Sequence, residues 1–327
     1  MRVIAIQAHG GYEQVRLRTD WPEPVPAAGE AVVDVRACGL NYLDVFVLRG
    51  MPGLPVEMPR IPGGDISGVA SAVGAGVPRE WIGRRVLIDP HIMKGGALGE
   101  NANGGLCEKI AVPAANLIHL PDAVTFEQAA SLPIAYGTAH RMLITRGKLQ
   151  AGELVLILGA SGGVGTGCVQ IAKNLKARVI ACASSAEKLR RLQELGADHV
   201  IDYTKEDFSA RAWEISGRKG VDVLVNYTGG DTWVPSLRTL ARHGRLLTCG
   251  ATAGFDPKTD IRYIWRREVN IVGANGWTRG DLETLLADVE RGGIKPVIDR
   301  VYPLEQAAEA IRVLEDREVF GKIIVRP

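Results

Sequence analysis

The pattern of apolar and polar residues divides the chain into a first part of short extended runs and a second part in which strands alternate with helices. In the first part, as far as Leu120, short alternating or apolar runs such as 3–6, 31–35 and 67–73 are separated by glycine and proline. Short runs separated by these turn-forming residues predict an irregular, mostly antiparallel β domain. In the second part, consecutive apolar residues at 154–158 predict a strand that is buried on both faces.

A turn of small residues follows that strand, and a helix follows the turn. Val164, Cys168, Ile171 and Leu175 recur at helical spacing, which predicts an amphipathic helix. A strand, a glycine turn and a helix in this order open a dinucleotide-binding unit, because the backbone can approach a pyrophosphate there and the N–H groups at the helix start bind its charge. Gly162 is predicted to let the backbone approach the pyrophosphate, and Gly165 to let the helix pack closely on the strand. The cofactor-binding residues predicted in this motif are Ser161, Gly162, Gly163, Val164 and Gly165.

The glycine pattern is imperfect, because Ala160 stands where the first glycine of G-x-G-x-x-G is usual. A turn of small residues can also be purely structural. Its position between an all-apolar strand and an amphipathic helix favours the nucleotide-binding interpretation.

Further apolar runs predict the remaining strands of a doubly wound parallel sheet, at 177–183, 221–225, 244–249 and 270–273. The predicted fold class is therefore α/β, with a Rossmann doubly wound parallel sheet beside the mostly antiparallel β domain. Ligands of such sheets bind beyond the carboxyl ends of the strands. The loop residues predicted to contact the nucleotide there are Thr228, Gly250, Ala251, Ala274 and Asn275.

The end of the second strand bears on the choice between NAD and NADP. An NAD-binding fold places Asp or Glu at this point to bind the ribose hydroxyl, whereas this chain has Ser184 there, followed by Ser185 and Lys188. Two hydroxyls and an ammonium group are suited to a 2′-phosphate, so NADP(H) is the predicted cofactor. The competing interpretation is that Lys188 is simply solvated on the first turn of the next helix.

Length and charge narrow the class of protein. At 327 residues the chain is long enough for two domains, and its net charge of +2 gives no field that would attract nucleic acid or an anionic membrane. No apolar run is long enough to span a membrane, and the amino terminus does not resemble a signal peptide. The five cysteines have no C-x-x-C spacing, so we expect buried thiols in a reducing cytoplasm.

Several separated motifs resemble those of one enzyme family. The segment CGLNYLD at 38–44 resembles the G-L-N-x-x-D signature of the quinone oxidoreductase branch of the medium-chain dehydrogenase/reductase superfamily. The segment IPGGDISG at 61–68 resembles the superfamily's P-G-H-E-x-x-G motif, and those at 105–122 and 321–325 resemble later motifs in the same order. The resemblance implies a GroES-like domain at 1–122, completed by about 290–327, and a Rossmann domain at 123–289.

The resemblance also indicates where this chain departs from the zinc-dependent members. The positions that align with their three zinc ligands are Asn41, Gly64 and Ile134, and none of these is a thiolate, an imidazole or a carboxylate. In the segment 89–107, where those members hold a four-cysteine structural site, the one cysteine is Cys107. The sequence therefore predicts an enzyme without a bound metal.

The resemblance assigns further roles to individual residues. It implies that Thr138 contacts the nicotinamide amide and that Tyr203 contacts the 2′-phosphate. Asn41 and Tyr42 are the catalytic candidates, since an amide N–H and a phenol can stabilise negative charge on a substrate oxygen. The predicted lining of the substrate cleft consists of Tyr42, Phe46, Met51, Trp277 and the loop 91–103.

Two other polar residues receive structural interpretations. Asp44 is interpreted as a hydrogen-bond acceptor rather than a base, and His140 as a packed or hydrogen-bonded histidine. The resemblance further implies a homodimer, formed by edge pairing of the Rossmann sheets of two chains.

Several functions remain open on the sequence alone. The leading one is a zinc-independent, NADPH-dependent quinone oxidoreductase, because a quinone spreads negative charge over a conjugated system. The next is a reductase of α,β-unsaturated aldehydes or ketones. An alcohol or carbonyl dehydrogenase is suggested by Gly99 and Glu100, which resemble a remnant of a zinc-type sequence. The predicted partner is a small-molecule electrophile, either a quinone or a conjugated carbonyl compound. The non-enzymatic alternative is an NADPH-binding sensor or structural protein.

Overall fold

The computed structural model describes residues 1–53, 55–92 and 96–327. The chain folds into two compact units, one formed by Met1–Ile134 with Leu282–Pro327 and the other by Ala135–Asp281. The first unit therefore contains both ends of the chain, and the second is one continuous segment between them. These divisions fall after residues 134 and 281, whereas the resemblance suggested 122 and 289.

The strands are numbered in chain order. In the first unit they are β1 (Val3–Ile6), β2 (Val15–Arg18), β3 (Glu30–Gly39), β4 (Asp65–Val73), β5 (Arg85–Ile88), β6 (His91–Ile92), β7 (Gly96–Ala97), β8 (Lys109–Pro113) and β9 (Leu117–His119), joined near the carboxyl terminus by β16 (Ile298–Pro303) and β17 (Lys322–Arg326). In the second unit they are β10 (Leu154–Ile157), β11 (Arg178–Ala183), β12 (His199–Asp202), β13 (Val221–Val225), β14 (Leu240–Thr248) and β15 (Asn270–Gly273).

The helices are numbered in the same way. They are α1 (Tyr42–Arg49), α2 (Phe126–Ala129), α3 (Gly137–His140), α4 (Gly163–Asn174), α5 (Ala186–Glu194), α6 (Phe208–Ile215), α7 (Trp233–Thr239), α8 (Arg262–Arg267), α9 (Arg279–Glu290) and α10 (Ala307–Glu315). π-Helical segments at Leu132–Tyr136 and Arg141–Arg146 flank α3. Over the described part of the chain, no helix combines the length and the apolarity that crossing a membrane requires.

The main sheet of the first unit, as far as the described residues form it, runs in the order β16-β17-β3-β4-β5-β9, with β8 also paired to β3. Its pairs are antiparallel except for β16 with β17. Most residues of β3 are buried because the strand joins β17, β4 and β8. Val325 of β17 lies opposite Cys38 of β3, so the last strand of the chain belongs to the sheet of the first unit.

Residues 135–281, all of which the structure describes, contain a six-stranded parallel sheet in the order β12-β11-β10-β13-β14-β15. The order of the strands reverses between β10 and β13, which confirms the predicted doubly wound arrangement. All four residues of β10 are buried, and the strand pairs with both β11 and β13. This position explains the uninterrupted apolar run in the sequence. The loops after the strands meet at one edge of the sheet, which we term the carboxyl edge.

The five cysteines carry free thiols, and Cys38, Cys107, Cys168 and Cys182 are buried. Burial raises the pKa of the Cys107 thiol to about 12, so this thiol stays protonated at neutral pH. The buried thiols pack as small apolar side chains, in agreement with the interpretation from the sequence.

Candidate functional site

The turn after β10 lies at the carboxyl edge, and its backbone packs closely against the start of α4. Gly159 has a φ of +62°, which residues with a side chain rarely adopt. A Cβ on Gly165 would lie 2.5 Å from the Cα of Ala160, so glycine permits this approach of α4 to the turn. A Cβ on Gly162 would meet no atom nearer than 3.6 Å. Space for a ligand atom therefore exists beside Gly162 at the start of α4. The predicted pyrophosphate contacts around it are half-buried: Ser161, Gly162, Gly163 and Val164.

Two residues that the sequence analysis did not single out hold this edge in place. The hydroxyl of Tyr227 donates a hydrogen bond to the carbonyl oxygen of Gly159 at 2.7 Å. The buried amide oxygen of Asn226 accepts hydrogen bonds from the backbone N–H groups of Thr228 at 2.9 Å and Gly229 at 3.0 Å. The turn after β10 and the loop after β13 are thus fastened together where the strand order reverses. An Asn-Tyr pair directly after an apolar strand is the signal that could have indicated this arrangement.

The loops after β13 and β14 pack against each other. The carbonyl oxygen of Thr228 accepts a hydrogen bond from Ala253 at 2.7 Å, and a Cβ on Gly229 would lie 2.9 Å from the Cβ of Ala251. Ala274 is buried and donates its N–H to the last residue of β14 at 2.9 Å. The predicted loop contacts therefore lie at the carboxyl edge, and their binding of the nucleotide stays a prediction: Thr228, Gly250, Ala251, Ala274 and Asn275.

The residues predicted to bind a 2′-phosphate lie at the ends of β11 and β12. Ser185 is the N-cap of α5, and its hydroxyl accepts a hydrogen bond from the Lys188 N–H at 3.3 Å. Ser184 and Lys188 are half-buried beside it. Tyr203 donates its N–H to the last residue of β11 at 3.3 Å and is 41% exposed. The carboxylate of Asp202, at the end of β12, accepts hydrogen bonds within its own turn. The predicted 2′-phosphate contacts therefore belong to two separate segments of the chain, and their binding of the phosphate stays a prediction.

Thr138 and His140 lie on α3, and both are buried. The Nδ1 atom of His140 lies 2.9 Å from Oδ1 of Asp281, which agrees with the interpretation of His140 as a hydrogen-bonded histidine. Burial alone would raise the pKa of Asp281, but the hydrogen bonds from Thr278 and the interaction with His140 hold it below its ordinary value. His140 therefore belongs to a buried polar contact, and the nicotinamide contact of Thr138 stays a prediction.

In the first unit, α1 begins at the catalytic candidates. Asn41 is the N-cap of this helix, and its backbone N–H donates to Oδ2 of Asp44 at 2.8 Å. Oδ1 of Asp44 accepts the N–H of Gly63 at 2.7 Å. Asp44 is thus a structural acceptor, as predicted, and it joins the start of α1 to the segment that leads into β4.

A buried ion pair lies beside Asn41. Nζ of Lys322 lies 2.9 Å from Oδ2 of Asp65, and the two side chains are 2% and 0% exposed. The ammonium group also donates to Oδ1 of Asn41 at 2.6 Å and to the carbonyl oxygen of Leu40 at 2.7 Å. Nδ2 of Asn41 in turn donates to Asp65 at 2.8 Å. We term Lys322, Asp65 and Asn41 the buried polar cluster.

The two charged members of this cluster were not predicted, although the sequence contains a signal for each. Asp65 stands at the acidic position of the segment that resembles P-G-H-E-x-x-G, and Lys322 is a charged residue at the start of an apolar terminal strand. A charged residue in such a position is rarely buried unless it is paired.

The three positions that align with zinc ligands lie around the buried polar cluster. Asn41 belongs to it, and the N–H of Ile134 donates to Oδ1 of Asp65 at 2.8 Å. A Cβ on Gly64 would lie 2.8 Å from Cδ1 of Ile134. These side chains offer an amide and an alkyl group, so the donor set does not fit zinc. Among the described residues, no group of three or more His, Cys, Asp and Glu side chains is placed to hold a metal ion.

The predicted substrate contacts are found in both units. Tyr42 and Phe46 lie one helical turn apart on α1, with ring centroids 5.2 Å apart and planes at 80°. Met51 is half-buried shortly after α1. Trp277 belongs to the second unit and is 8% exposed. Of the loop 91–103, residues 93–95 lie outside the described residues. The substrate-contact roles of these residues stay predictions.

Two family models match the chain. Residues 27–122 match the model described as "Alcohol dehydrogenase GroES-like domain". Residues 163–291 match the model described as "Zinc-binding dehydrogenase". The first match lies within the β-rich unit, and the second begins at the start of α4.

Similar proteins extend over nearly the whole chain. The quinone oxidoreductase of Rattus norvegicus is 31% identical over 333 residues, which cover 99% of this chain and 97% of that protein. The synaptic vesicle membrane protein VAT-1 homolog of Homo sapiens is 31% identical over 352 residues, which cover 100% of this chain and 86% of that protein. The crystal structure of an NAD-dependent alcohol dehydrogenase superposes with a TM-score of 0.93 at 36% identity, and the match covers 100% of both chains.

Proposed function

We propose that this chain, which belongs to the medium-chain dehydrogenase/reductase superfamily and is an oxidoreductase of that superfamily, reduces a quinone with NADPH and without zinc. The observation that carries the proposal is the donor set at the positions of the zinc ligands, where Asn41, Gly64 and Ile134 stand. The superfamily binds NAD(P)(H), and the nicotinamide supplies a hydride when it is bound.

This donor set bears on the choice of substrate. The arrival of a hydride places negative charge on the substrate oxygen, and that charge must be stabilised. A saturated aldehyde keeps the charge on one oxygen atom, whereas a quinone distributes it over a conjugated system. Hydrogen bonds are then sufficient, and in this proposal the amide N–H of Asn41 and the phenol of Tyr42 supply them.

The first test is a comparison of electrophiles. Purified protein, treated with a chelator, is offered an ortho-quinone, a 2-enal and a saturated aldehyde in parallel, and oxidation of NADPH is followed, with NADH as the control. We expect the quinone to be reduced and the activity to survive chelation. Faster reduction of the 2-enal would replace the quinone by a conjugated aldehyde as the substrate.

A second candidate function is favoured by one comparison, since a similar solved structure is named as an NAD-dependent alcohol dehydrogenase. Activity on the saturated aldehyde alone, with NADH and lost after chelation, would support that function and contradict the proposal. Binding of NADPH without turnover of any electrophile would instead indicate a sensor or structural protein.

The choice of NADPH rests on the ends of β11 and β12. Replacing Ser184 by Asp restores the acidic residue that binds the ribose hydroxyl in NAD-binding folds and repels a 2′-phosphate. We expect Ser184→Asp to lower kcat/KM for NADPH by about 100-fold and to leave that for NADH within a few-fold. Steady-state kinetics with both cofactors checks this prediction.

The matched control for that variant is Ser184→Ala, which removes the hydroxyl without adding charge. It should lower kcat/KM for NADPH by about 10-fold, the lower end of what the loss of one hydrogen bond to a charged group costs. If each variant lowered kcat/KM for NADPH and for NADH by the same factor, that result would contradict the proposed 2′-phosphate site.

We also propose a partner, a cellular location and an oligomeric state for this oxidoreductase. The partner is a small-molecule electrophile, and the net charge of +2 favours neither nucleic acid nor an anionic membrane. The chain acts in the cytoplasm as a homodimer. The support for the dimer is the edge strand β15, whose Ile271 is 40% exposed.

A further inference from the structure

The buried polar cluster indicates how the catalytic candidate Asn41 is held for the proposed reaction. Lys322 has three N–H donors, and its contacts supply one acceptor for each: Leu40, Asn41 and Asp65. The same side chains are almost wholly removed from water. A buried ion pair contributes little to stability compared with apolar residues of the same volume, so its place beside a catalytic candidate calls for another explanation.

The cluster determines how the amide of Asn41 is oriented. An ammonium group can only donate and a carboxylate can only accept, so the carbonyl oxygen of Asn41 faces Lys322 and its NH₂ group faces Asp65. One N–H is bound by Asp65 at 2.8 Å, while the distance from Nδ2 to the carbonyl oxygen of Gly39 is 3.5 Å. The second N–H therefore has this long, weak contact as its partner.

The contact with Lys322 also strengthens that donor. A hydrogen bond from an ammonium group polarises the amide carbonyl, and polarised groups donate more strongly through their N–H. Because Asp65 balances the charge of Lys322, the pair acts by orienting and polarising the amide and adds no net charge to the site.

We propose that Lys322, held by Asp65, is a positioning residue that directs one N–H of Asn41 toward the oxygen of the electrophile. This inference rests on the proposed function. The cluster lies where the zinc-dependent members of the superfamily place their ligands, and here an oriented amide takes over the stabilisation of negative charge on the substrate oxygen.

The test is a cycle of variants in the full-length protein, measured with the electrophile that the wild type reduces. Asp65→Asn combined with Lys322→Met removes both charges and leaves Asn41 free to turn. We expect kcat to fall by about 100-fold, the lower end of the range seen when one donor to a developing oxyanion is lost, while KM for NADPH stays within about two-fold. Asn41→Ala should show a similar loss of kcat.

The combination of all three substitutions distinguishes positioning from a merely structural role. If Lys322 acts through Asn41, the triple variant is no slower than Asn41→Ala alone, because residues that act as a unit are not additive. The control pair is Asp198→Asn with Lys173→Met, an ion pair with a 2.8 Å contact in the second unit, and its kcat should match that of the wild type.

A measurement on the wild type covers the case in which the charge-free variant does not fold. The two Nδ2 protons of Asn41 are assigned by NMR from their absence in Asn41→Ala, and quinone is added in the presence of NADP⁺, which cannot reduce it. We expect one proton resonance to move and the one bound to Asp65 to stay. Movement of neither would overturn the inference.

The outcomes separate the two proposals. Turnover of quinone by the wild type, with unchanged kcat in the charge-free pair or additive effects in the triple variant, would overturn the positioning role of Lys322 and leave the proposed function standing. Failure of the wild type to reduce any electrophile would overturn both.

Discussion

Asp44 accepts hydrogen bonds from the backbone N–H groups of Asn41 and Gly63. Burial raises the pKa of this carboxyl group to about 6, and the two hydrogen bonds only partly oppose the effect of burial. The side chain is 2% exposed. Its ionised form is therefore less favourable in the folded chain than in the unfolded chain, although its position at the start of α1 is well satisfied.

This shift predicts how stability depends on pH. In the unfolded chain the pKa of Asp is about 3.9, so between that pH and about 6 the folded state binds the proton more tightly. The contribution of Asp44 is fully present below about pH 4 and is lost as the pH rises through about 6. We expect the unfolding free energy of the wild type, minus that of Asp44→Asn, to fall by on the order of 3 kcal/mol over this range.

Denaturant titrations of the two proteins between pH 4 and pH 8 measure that difference. Because every other titrating group is common to both proteins, the subtraction isolates Asp44. A difference that stays constant across the range would contradict the raised pKa.

Arg60 illustrates the opposite case, a buried cation that is poorly satisfied. The residue is 8% exposed, and its Nε atom has no hydrogen-bond partner. The contact from its NH1 atom to Asn103 is 3.4 Å long, and burial lowers the pKa of the guanidinium. Removing a guanidinium group from water costs more free energy than these contacts contribute.

We therefore expect Arg60→Met to raise the free energy of unfolding by about 1 kcal/mol, since the apolar side chain fills similar space without the desolvation cost. The matched control is Arg85→Met. Arg85 donates to the carbonyl oxygens of Pro121 and Val124 and lies over the ring of Phe126, so its loss should destabilise. Thermal unfolding of both variants provides the measurement, and destabilisation by Arg60→Met would show that the guanidinium is satisfied after all.

At the scale of elements, the turn between β10 and α4 contains two glycines that are needed for different reasons. Gly165 is required by packing, because a Cβ would lie 2.5 Å from backbone atoms of the turn. Gly162 has a φ of −80° and open space around its Cα. In the nucleotide-binding interpretation that space is taken by the pyrophosphate. The same motif thus contains one residue that matters for the fold and one that matters for the ligand.

This difference predicts opposite results for two substitutions by alanine. Gly165→Ala should lower the free energy of unfolding by about 2 kcal/mol, because the backbone contact cannot relax freely. Gly162→Ala should leave stability within about 0.5 kcal/mol and weaken NADPH binding by about tenfold or more, since its methyl group occupies the approach to the phosphates. Thermal unfolding and fluorescence titration with NADPH, each applied to both variants, separate the two effects. Normal NADPH affinity in Gly162→Ala would contradict the assignment of the turn.

At the scale of the whole molecule, each unit ends its main sheet with a partly exposed strand. β15 closes the parallel sheet of the second unit, and β16 closes the sheet of the first. Ile271 on β15 and Val301 on β16 are 40% and 44% exposed. An exposed apolar edge offers unpaired N–H and C=O groups to another chain. The proposed homodimer uses the first of these edges.

We expect Ile271→Lys to convert the proposed dimer into a monomer, because a buried lysine at a paired edge would lose its hydration. Val301→Lys is the matched control, since it places the same charge on the other edge strand and should leave the mass unchanged. Light scattering coupled to size-exclusion chromatography measures both masses. A monomeric wild type, or a dimer that survives Ile271→Lys, would contradict the edge-paired dimer.

Much of the fold was predictable because its signals are local. The apolar run at 154–158 and the small residues after it indicated β10, the turn and α4, and the apolar runs at 221–225 and 270–273 correspond to β13 and β15. A strand buried on both faces needs no information from elsewhere to appear as an unbroken apolar segment. The boundaries of longer strands were less well predicted, and β3 and β14 both extend beyond their apolar runs, because pairing with neighbours lengthens them.

The sequence by itself determined the order of the elements, the doubly wound sheet and the chemical identity of the residues at the zinc positions, since each of these depends on neighbours along the chain. Only the tertiary structure decided which distant side chains meet. Lys322 contacts Asp65 across 257 positions of sequence, and Tyr227 contacts Gly159 across 68. Such contacts depend on the register of β17 against β3 and on the packing of the loop after β13 against the turn after β10, and local patterns of apolar and polar residues do not encode either.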